Sequence, residues 1–335
     1  MSHDYAVVAV RRAVRDALAG LDPRSTGPVV VACSGGADSL ALLSATVAEV
    51  ARAARAGAPA PRVVGATVDH GLQDGSAGHA DRVVAQMAAI GADETLTARV
   101  QVTTEGRGPE AAAREARYAV LEQVAASLDA AAVLLGHTLD DQAETVLLGL
   151  ARGSGGRSVA GMRPGFGPFL RPLLDVRRAE TRAYCTAEGL EVWDDPHNED
   201  PRFTRVRVRH RVLPVLEQEL GPGVAETLAR TAGQLRADTE ALDAWAEGAL
   251  ATVSVGDGAL DLAPLAGLPP AVRTRVLRAA ALRAGSPAAE LFHVHVTALD
   301  RLVAGRLRGQ VQLPGHVTGS LAAGTLRFTP TVVPD

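Results

Sequence analysis

The stretch Val29-Val30-Val31-Ala32-Cys33-Ser34-Gly35-Gly36-Ala37-Asp38-Ser39-Leu40 decides how this chain folds. Its apolar start reads as a buried strand, its two glycines as a tight turn, and the periodicity from Leu40 to Ala54 as a helix. A strand that runs through a glycine turn into a helix brings backbone N–H groups to the positive end of that helix, a setting suited to phosphate oxygens. Ser34 and Ser39 add hydroxyl donors. A carboxylate among phosphates, Asp38, makes sense chiefly as a ligand for Mg²⁺ or as a brace for the loop. Without a ligand the same residues make a turn with Ser and Asp as caps. The whole six-residue pattern, Ser34 to Ser39, in a strand–loop–helix setting favours phosphate. Cys33 reads as a small buried hydrophobe.

Outward from this motif, Val63–Val68, Ala98–Val102 and Ala132–Leu135 read as further strands, and Ala80–Ile90 and Glu110–Ala126 as further helices. Such alternation calls for an α/β fold with a parallel sheet covered on both faces and ligands at the carboxyl ends of its strands. Val7, Val10, Val14 and Leu18 predict an amphipathic N-terminal helix in place of a signal peptide. The segment Arg152-Gly153-Ser154-Gly155-Gly156-Arg157 predicts a mobile loop. Gly221-Pro222-Gly223 predicts a hinge, dividing the chain into domains 1–220 and 221–335. In the second, smaller and mainly helical domain, Leu228, Leu235, Leu242, Trp245 and Leu250 predict one long helix and Ala271–Ala284 a shorter one. Gln310–Leu313 and Thr325–Thr329 predict a small β element.

The 335 residues carry 34 basic and 38 acidic groups, a net charge of −4 that argues against indiscriminate coating of nucleic acid. Every basic residue is arginine, for the chain contains no lysine. That excludes a Walker-A lysine, a pyridoxal Schiff base and a lysyl-adenylate. Two cysteines, Cys33 and Cys185, are too few for a disulfide framework or a cluster ligand set. The reducing cytosol is the expected compartment, and no stretch is long and apolar enough to span a membrane.

The phosphate loop looks like that of the N-type ATP pyrophosphatases, which adenylate a carbonyl or carboxylate and release pyrophosphate. The other motifs narrow the choice: Val68-Asp69-His70-Gly71-Leu72, Ala113-Arg114-Glu115-Ala116-Arg117-Tyr118, and Gly136-His137-Thr138-Leu139-Asp140-Asp141-Gln142-Ala143-Glu144-Thr145. They continue with Arg152-Gly153-Ser154-Gly155, Arg171-Pro172-Leu173-Leu174 and Trp193-Asp194-Asp195-Pro196-His197-Asn198. In this order they resemble the tRNA(Ile)-lysidine synthetase family, strongly over residues 28–215 and weakly through Gln310–Gly315.

The resemblance implies an enzyme that uses ATP and Mg²⁺ to join free L-lysine to the wobble cytidine of an isoleucine tRNA with a CAU anticodon, through an adenylated tRNA. It makes 1–220 the adenylating domain and 221–335 a tRNA-binding domain, and leaves a homodimer open. Ser34, Gly35, Gly36, Ala37, Asp38, Ser39, Val68, His70 and Gly136 are then expected at the nucleotide, with Asp38 on the metal. Asp38, Arg114, His137, Asp141 and Glu144 are the expected catalytic groups. Asp140 and Glu144 stand one helical turn apart, a pocket for Mg²⁺ or for lysine's ammonium, although a helix cap and a first-turn dipole partner explain two of these acids equally well. Arg114 and Arg117, three apart on one helix, suit phosphate. The run Arg202, Arg205, Arg207, Arg209, His210, Arg211 suits either RNA phosphates or a solvated face. Here the chain departs from the family, with Thr204-Arg205-Val206 where Arg-Asn is expected after an aromatic residue, and His197 where Ser or Thr is usual.

The nearest rival, a sulfur-transferring tRNA enzyme, normally needs a cysteine pair. NAD or GMP synthesis leaves the arginine run unexplained. A catalytically silent nucleotide- or RNA-binding module is the alternative outside enzymology.

Overall fold

Strand β1 (Val29–Ala32) lies at the centre of a six-stranded sheet because all three of its valines are fully buried. Val29 and Val31 point to one face and Val30 to the other, the period-two alternation of a strand covered on both sides. The computed structural model describes residues 3–69, 76–100, 109–153, 155–195 and 199–331.

In chain order the first unit runs α1 (His3–Ala19), β1, α2 (Ala37–Arg55), β2 (Val63–Asp69), α3 (Ser76–Ile90), β3 (Glu94–Arg99), α4 (Pro109–Ser127), β4 (Ala132–Leu134) and α5 (Leu139–Arg152). It continues with α6 (Gly156–Val159), β5 (Gly165–Phe166), β6 (Phe169–Leu170), α7 (Arg178–Ala187), α8 (Thr204–Arg207), a π-helical turn (Val208–Val212), α9 (Leu213–Leu220) and the start of α10 (Val224–Val253). The sheet order is β3-β2-β1-β4-β6-β5, parallel except for β5. Successive strands β1, β2 and β3 step one way, and the chain then returns to lay β4 on the other side of β1. Strand order therefore reverses between β1 and β4, and the crevice at their carboxyl ends is where a ligand belongs. One face is covered by α1, α2, α3 and α7, the other by α4 through Leu121 and Ala125.

Expected strands and helices recur with small shifts, except at β3, which pairs Val64 with Glu94 through Asp69 with Arg99 instead of starting at Ala98. As an edge strand it is half exposed, so its polar alternation does not resemble a buried run. The expected glycine loop after α5 turns at Gly153 in the left-handed region and, from Gly156, forms the single turn α6.

Compact unit 1 spans Met1–Gly233 and unit 2 Gln234–Asp335, so the division falls inside α10. Along α10 it is Leu242, Ala246, Leu250 and Val253 that meet the unit 2 core, whereas Trp245, expected in that stripe, is 54% exposed. Unit 2 adds α11 (Leu262–Gly267), α12 (Pro270–Arg283) and α13 (His293–Val303), packed on an antiparallel sheet. The sheet order is β7 (Ser254–Val255), β8 (Ala259–Asp261), β11 (Thr325–Pro330), β10 (Val317–Ala322) and β9 (Gln310–Leu313). The β element is thus five strands, fuller than the two segments read from sequence.

Candidate active site

At the end of β1, Cys33 still donates its amide to the Ala66 carbonyl of β2, and the chain then turns through Gly35 at φ +82°. Only glycine fits there, for a Cβ would stand 2.9 Å from Val83 Cγ2. Ser39 closes the loop on itself: its hydroxyl donates to the Gly36 carbonyl at 2.9 Å and accepts the Ser34 amide at 3.1 Å. Helix α2 starts at Ala37 with no side-chain cap, and the N–H groups of Ala37 and Asp38 have no acceptor among the described residues. Gly136, after β4, crosses close by, where a Cβ would lie 3.0 Å from the Asp38 carbonyl carbon.

Asp38, in the first turn of α2, meets the Thr181 hydroxyl and stands 3.5 Å from Arg178 Nε. Burial pushes its carboxyl up, and Asp141 adds to the rise, against the pull of Arg178 and Thr181. Asp141 serves two ends. One oxygen completes a capping box, accepting the Thr138 amide at 2.8 Å and its hydroxyl at 2.9 Å, while the other faces Arg178 Nη2 at 2.7 Å. Burial opposes its charge, but Arg178 and the Thr138 amide prevail and hold it at about 2. Asp140 accepts the Arg178 amide at 2.7 Å and Arg177 Nη1 at 3.1 Å.

Glu144 is the centre of the cluster, 0% exposed and ringed by Arg178 Nη1 at 3.2 Å, Arg205 Nε at 2.9 Å and Arg209 Nε at 2.7 Å. Arg205 and Arg209 lie four apart, so both face it from α8 and the π-helical turn. Glu144 is thus enclosed by guanidiniums, and Arg205 and Arg209 are turned inward toward it. Arg207 points away, donating to the carbonyls of Pro201 and Arg202, and Arg211 is exposed.

His137 stands where β4 leads into α5. Burial, helped by the charges of Arg171, Arg114 and Arg205 and opposed by that of Asp141, lowers its imidazolium to about 3, so the ring is neutral, and its buried Nδ1 has no partner among the described residues. Arg114 is exposed on α4 and donates to the Tyr118 hydroxyl at 3.3 Å, which Arg171 also reaches at 3.1 Å. Arg117 is exposed on the same helix. Val68 sits half-buried near the end of β2, whereas His70 and His197 lie outside the described residues.

Asp38, Asp140, Asp141 and Glu144 thus come together, and what joins them is Arg178, which sequence reasoning missed. Val176-Arg177-Arg178 has the look of an ordinary charged helix start. The only signal was its nearness to Arg171-Pro172-Leu173-Leu174. Both cysteines are buried, with burial pushing the Cys33 thiol up and the Cys185 thiol to about 12, which disfavours a sulfur-transfer role.

Residues 10–216 match the family model of the PP-loop domain, and this defines the class: an ATP-utilising PP-loop enzyme. Residues 260–326 match the TilS substrate binding domain. The tRNA(Ile)-lysidine synthase of Thermobifida fusca is 57% identical over 93% of this chain and 92% of its own. That of Streptomyces coelicolor is 53% identical over 90% and 85%. The chain belongs to the tRNA(Ile)-lysidine synthase family, and it is a ligase. In fold alone it is like the U34-tRNA thiolase NcsA of Methanococcus maripaludis, with TM-score 0.55 and 19% identity over 69% of this chain and 80% of that one. No helix among the described residues is long and apolar enough to cross a membrane.

Proposed function

We propose that the chain joins lysine to the wobble cytidine of a CAU-anticodon isoleucine tRNA in the cytoplasm, in two steps at one crevice. ATP first adenylates the 2-carbonyl oxygen and pyrophosphate departs. Lysine's ε-amine then attacks the same carbon and AMP leaves, which a bare carbonyl oxygen cannot do. The observation that carries this reading is the open phosphate loop at the β1–β4 switch point with the Asp38–Asp141–Glu144 cluster beside it. Asp38 fits a resident Mg²⁺, since its carboxylate stands in the first turn of α2, beside the uncapped start of the helix that follows the phosphate loop. Bound there, Mg²⁺ would neutralise charge on the leaving pyrophosphate. Arg114 suits the phosphate of the adenylate, and neutral His137 is able to accept a hydrogen bond from the incoming amine. Asp140 and Asp141, at the cluster's more open edge, suit lysine's ammonium better than Glu144 does. Incubation with a CAU-anticodon transcript, ATP and lysine should convert the wobble cytidine to lysidine, read by mass spectrometry of the nucleosides. Recovery of unmodified cytidine with ATP intact sinks the reading.

The unit after α9 is proposed to help hold the tRNA. Within the arginine run, Arg207 and Arg211 are the proposed phosphate contacts, for neither has a carboxylate partner among the described residues. Neutralising both should flatten the slope of log affinity against log salt by about two units, and neutralising Arg205 and Arg209 should not flatten it this way. An unchanged slope returns Arg207 and Arg211 to a solvated face.

A further inference from the structure

His79, in the first turn of α3, brings Nε2 to 3.1 Å from the Ser34 carbonyl oxygen. Trp193, beyond α7, donates its backbone N–H to the Gly35 carbonyl at 3.0 Å. The two rings stack on each other with centroids 3.8 Å apart and planes inclined by 36°. Two turns further along the same face of α3, Gln86 Nε2 donates to the Glu191 carbonyl at 2.8 Å and ties the Trp193 segment down a second time. Consecutive carbonyls of the phosphate loop are therefore gripped by one stacked pair. The next one, Gly36, is held by the Ser39 hydroxyl and the Leu40 amide.

A trans peptide is planar, so its C=O and the following N–H point in opposite directions. Holding the Gly35 carbonyl fixes the N–H of Gly36, and holding the Gly36 carbonyl fixes that of Ala37. Neither N–H, nor that of Asp38, has an acceptor among the described residues. Glycines leave such a loop free to lose this arrangement, and donors ordered in advance bind more tightly than donors that must be ordered on contact.

We propose that His79 and Trp193 are positioning residues for the nucleotide: their stack holds the Ser34 and Gly35 carbonyls and so pre-orders the loop for a polyphosphate. This rests on reading Ser34–Ser39 as the ATP phosphate site. The chain has two tryptophans, so Trp245→Phe in the full-length protein leaves Trp193 as the only indole reporter. In that background a non-hydrolysable ATP analogue with Mg²⁺ is titrated by equilibrium dialysis and by Trp193 emission. Binding should shift the emission. His79→Ala should weaken the analogue about tenfold while Tm and affinity for the tRNA transcript hold, the scale of a lost hydrogen bond together with its stack. His79→Gln, whose amide nitrogen still reaches a carbonyl, should recover most of the loss, and Trp193→Phe should retain more affinity than Trp193→Ala. Unchanged analogue affinity in His79→Ala overturns the proposal, and so does an equal loss of tRNA affinity with a lowered Tm. Ser39→Ala separates the two readings. If it too leaves analogue affinity unchanged, the phosphate-site reading fails; if it alone weakens binding, only the brace is lost.

Discussion

Replacing Asp38 by asparagine is expected to cut pyrophosphate release about a thousandfold, the equivalent of several kcal/mol of charge stabilisation, while tRNA affinity stays near that of the parent. Asparagine separates the two roles open to this side chain. Its amide oxygen still accepts the Thr181 hydroxyl, so a residue that only braces α7 against the loop loses little. What it lacks is charge. The open N–H groups at the start of α2 draw phosphate toward Asp38, and two anions remain side by side there only with a cation between them. Arg178 is a weak answer, its Nε standing 3.5 Å from the carboxylate. Pyrophosphate release measured with saturating ATP, Mg²⁺ and tRNA checks this. Turnover within a few-fold of the parent would reduce Asp38 to a brace and withdraw the metal from it.

The sheet was legible because β1, β2 and β4 are buried on both faces and leave continuous apolar runs in the sequence. Its phosphate loop was legible because a glycine is required at Gly35 by φ and by close approach. Edge elements were not. In β3, polar alternation hides the strand, and the β5–β6 hairpin has strands of two residues each. The site was half legible for a related reason. Carboxylates one turn apart announce a shared face, so Asp140, Asp141 and Glu144 stood out together. Nothing local tells that their counter-charges arrive from Arg178, Arg205 and Arg209, 34 to 68 residues away in sequence. A run of arginines looks the same whether it faces RNA or a buried glutamate, and only the burial of Glu144 decides.

That burial sets the second large effect, at Glu144→Gln. Around Glu144 three guanidiniums, Arg178, Arg205 and Arg209, converge, and Glu144 and Asp141 offset much of their charge, with Asp38 and Asp140 also facing Arg178. Glutamine keeps the shape and one acceptor oxygen but leaves a surplus positive charge in a site with little water to screen it. ATP is an anion and tolerates the surplus. Lysine, arriving as a cation, does not. Its ε-amine has an unperturbed pKa of about 10.4, so at pH 7 only about one molecule in 2,500 carries the neutral nucleophile, and the variant repels the rest. Glu144→Gln is therefore expected to consume ATP and accumulate adenylated tRNA, yet to form lysidine about a hundredfold more slowly, with a raised KM for lysine. Raising the pH from 7 to 9 should partly rescue it, because each unit brings about ten times more neutral amine. His137 will not mask that rise, since its imidazolium, at about 3, is already deprotonated across this range. Quench-flow separation of adenylated from lysylated tRNA checks the expectation. If adenylation falls together with lysidine formation, Glu144 acts by holding Arg178 against Asp38, and the charge balance bears on the nucleotide instead of on lysine.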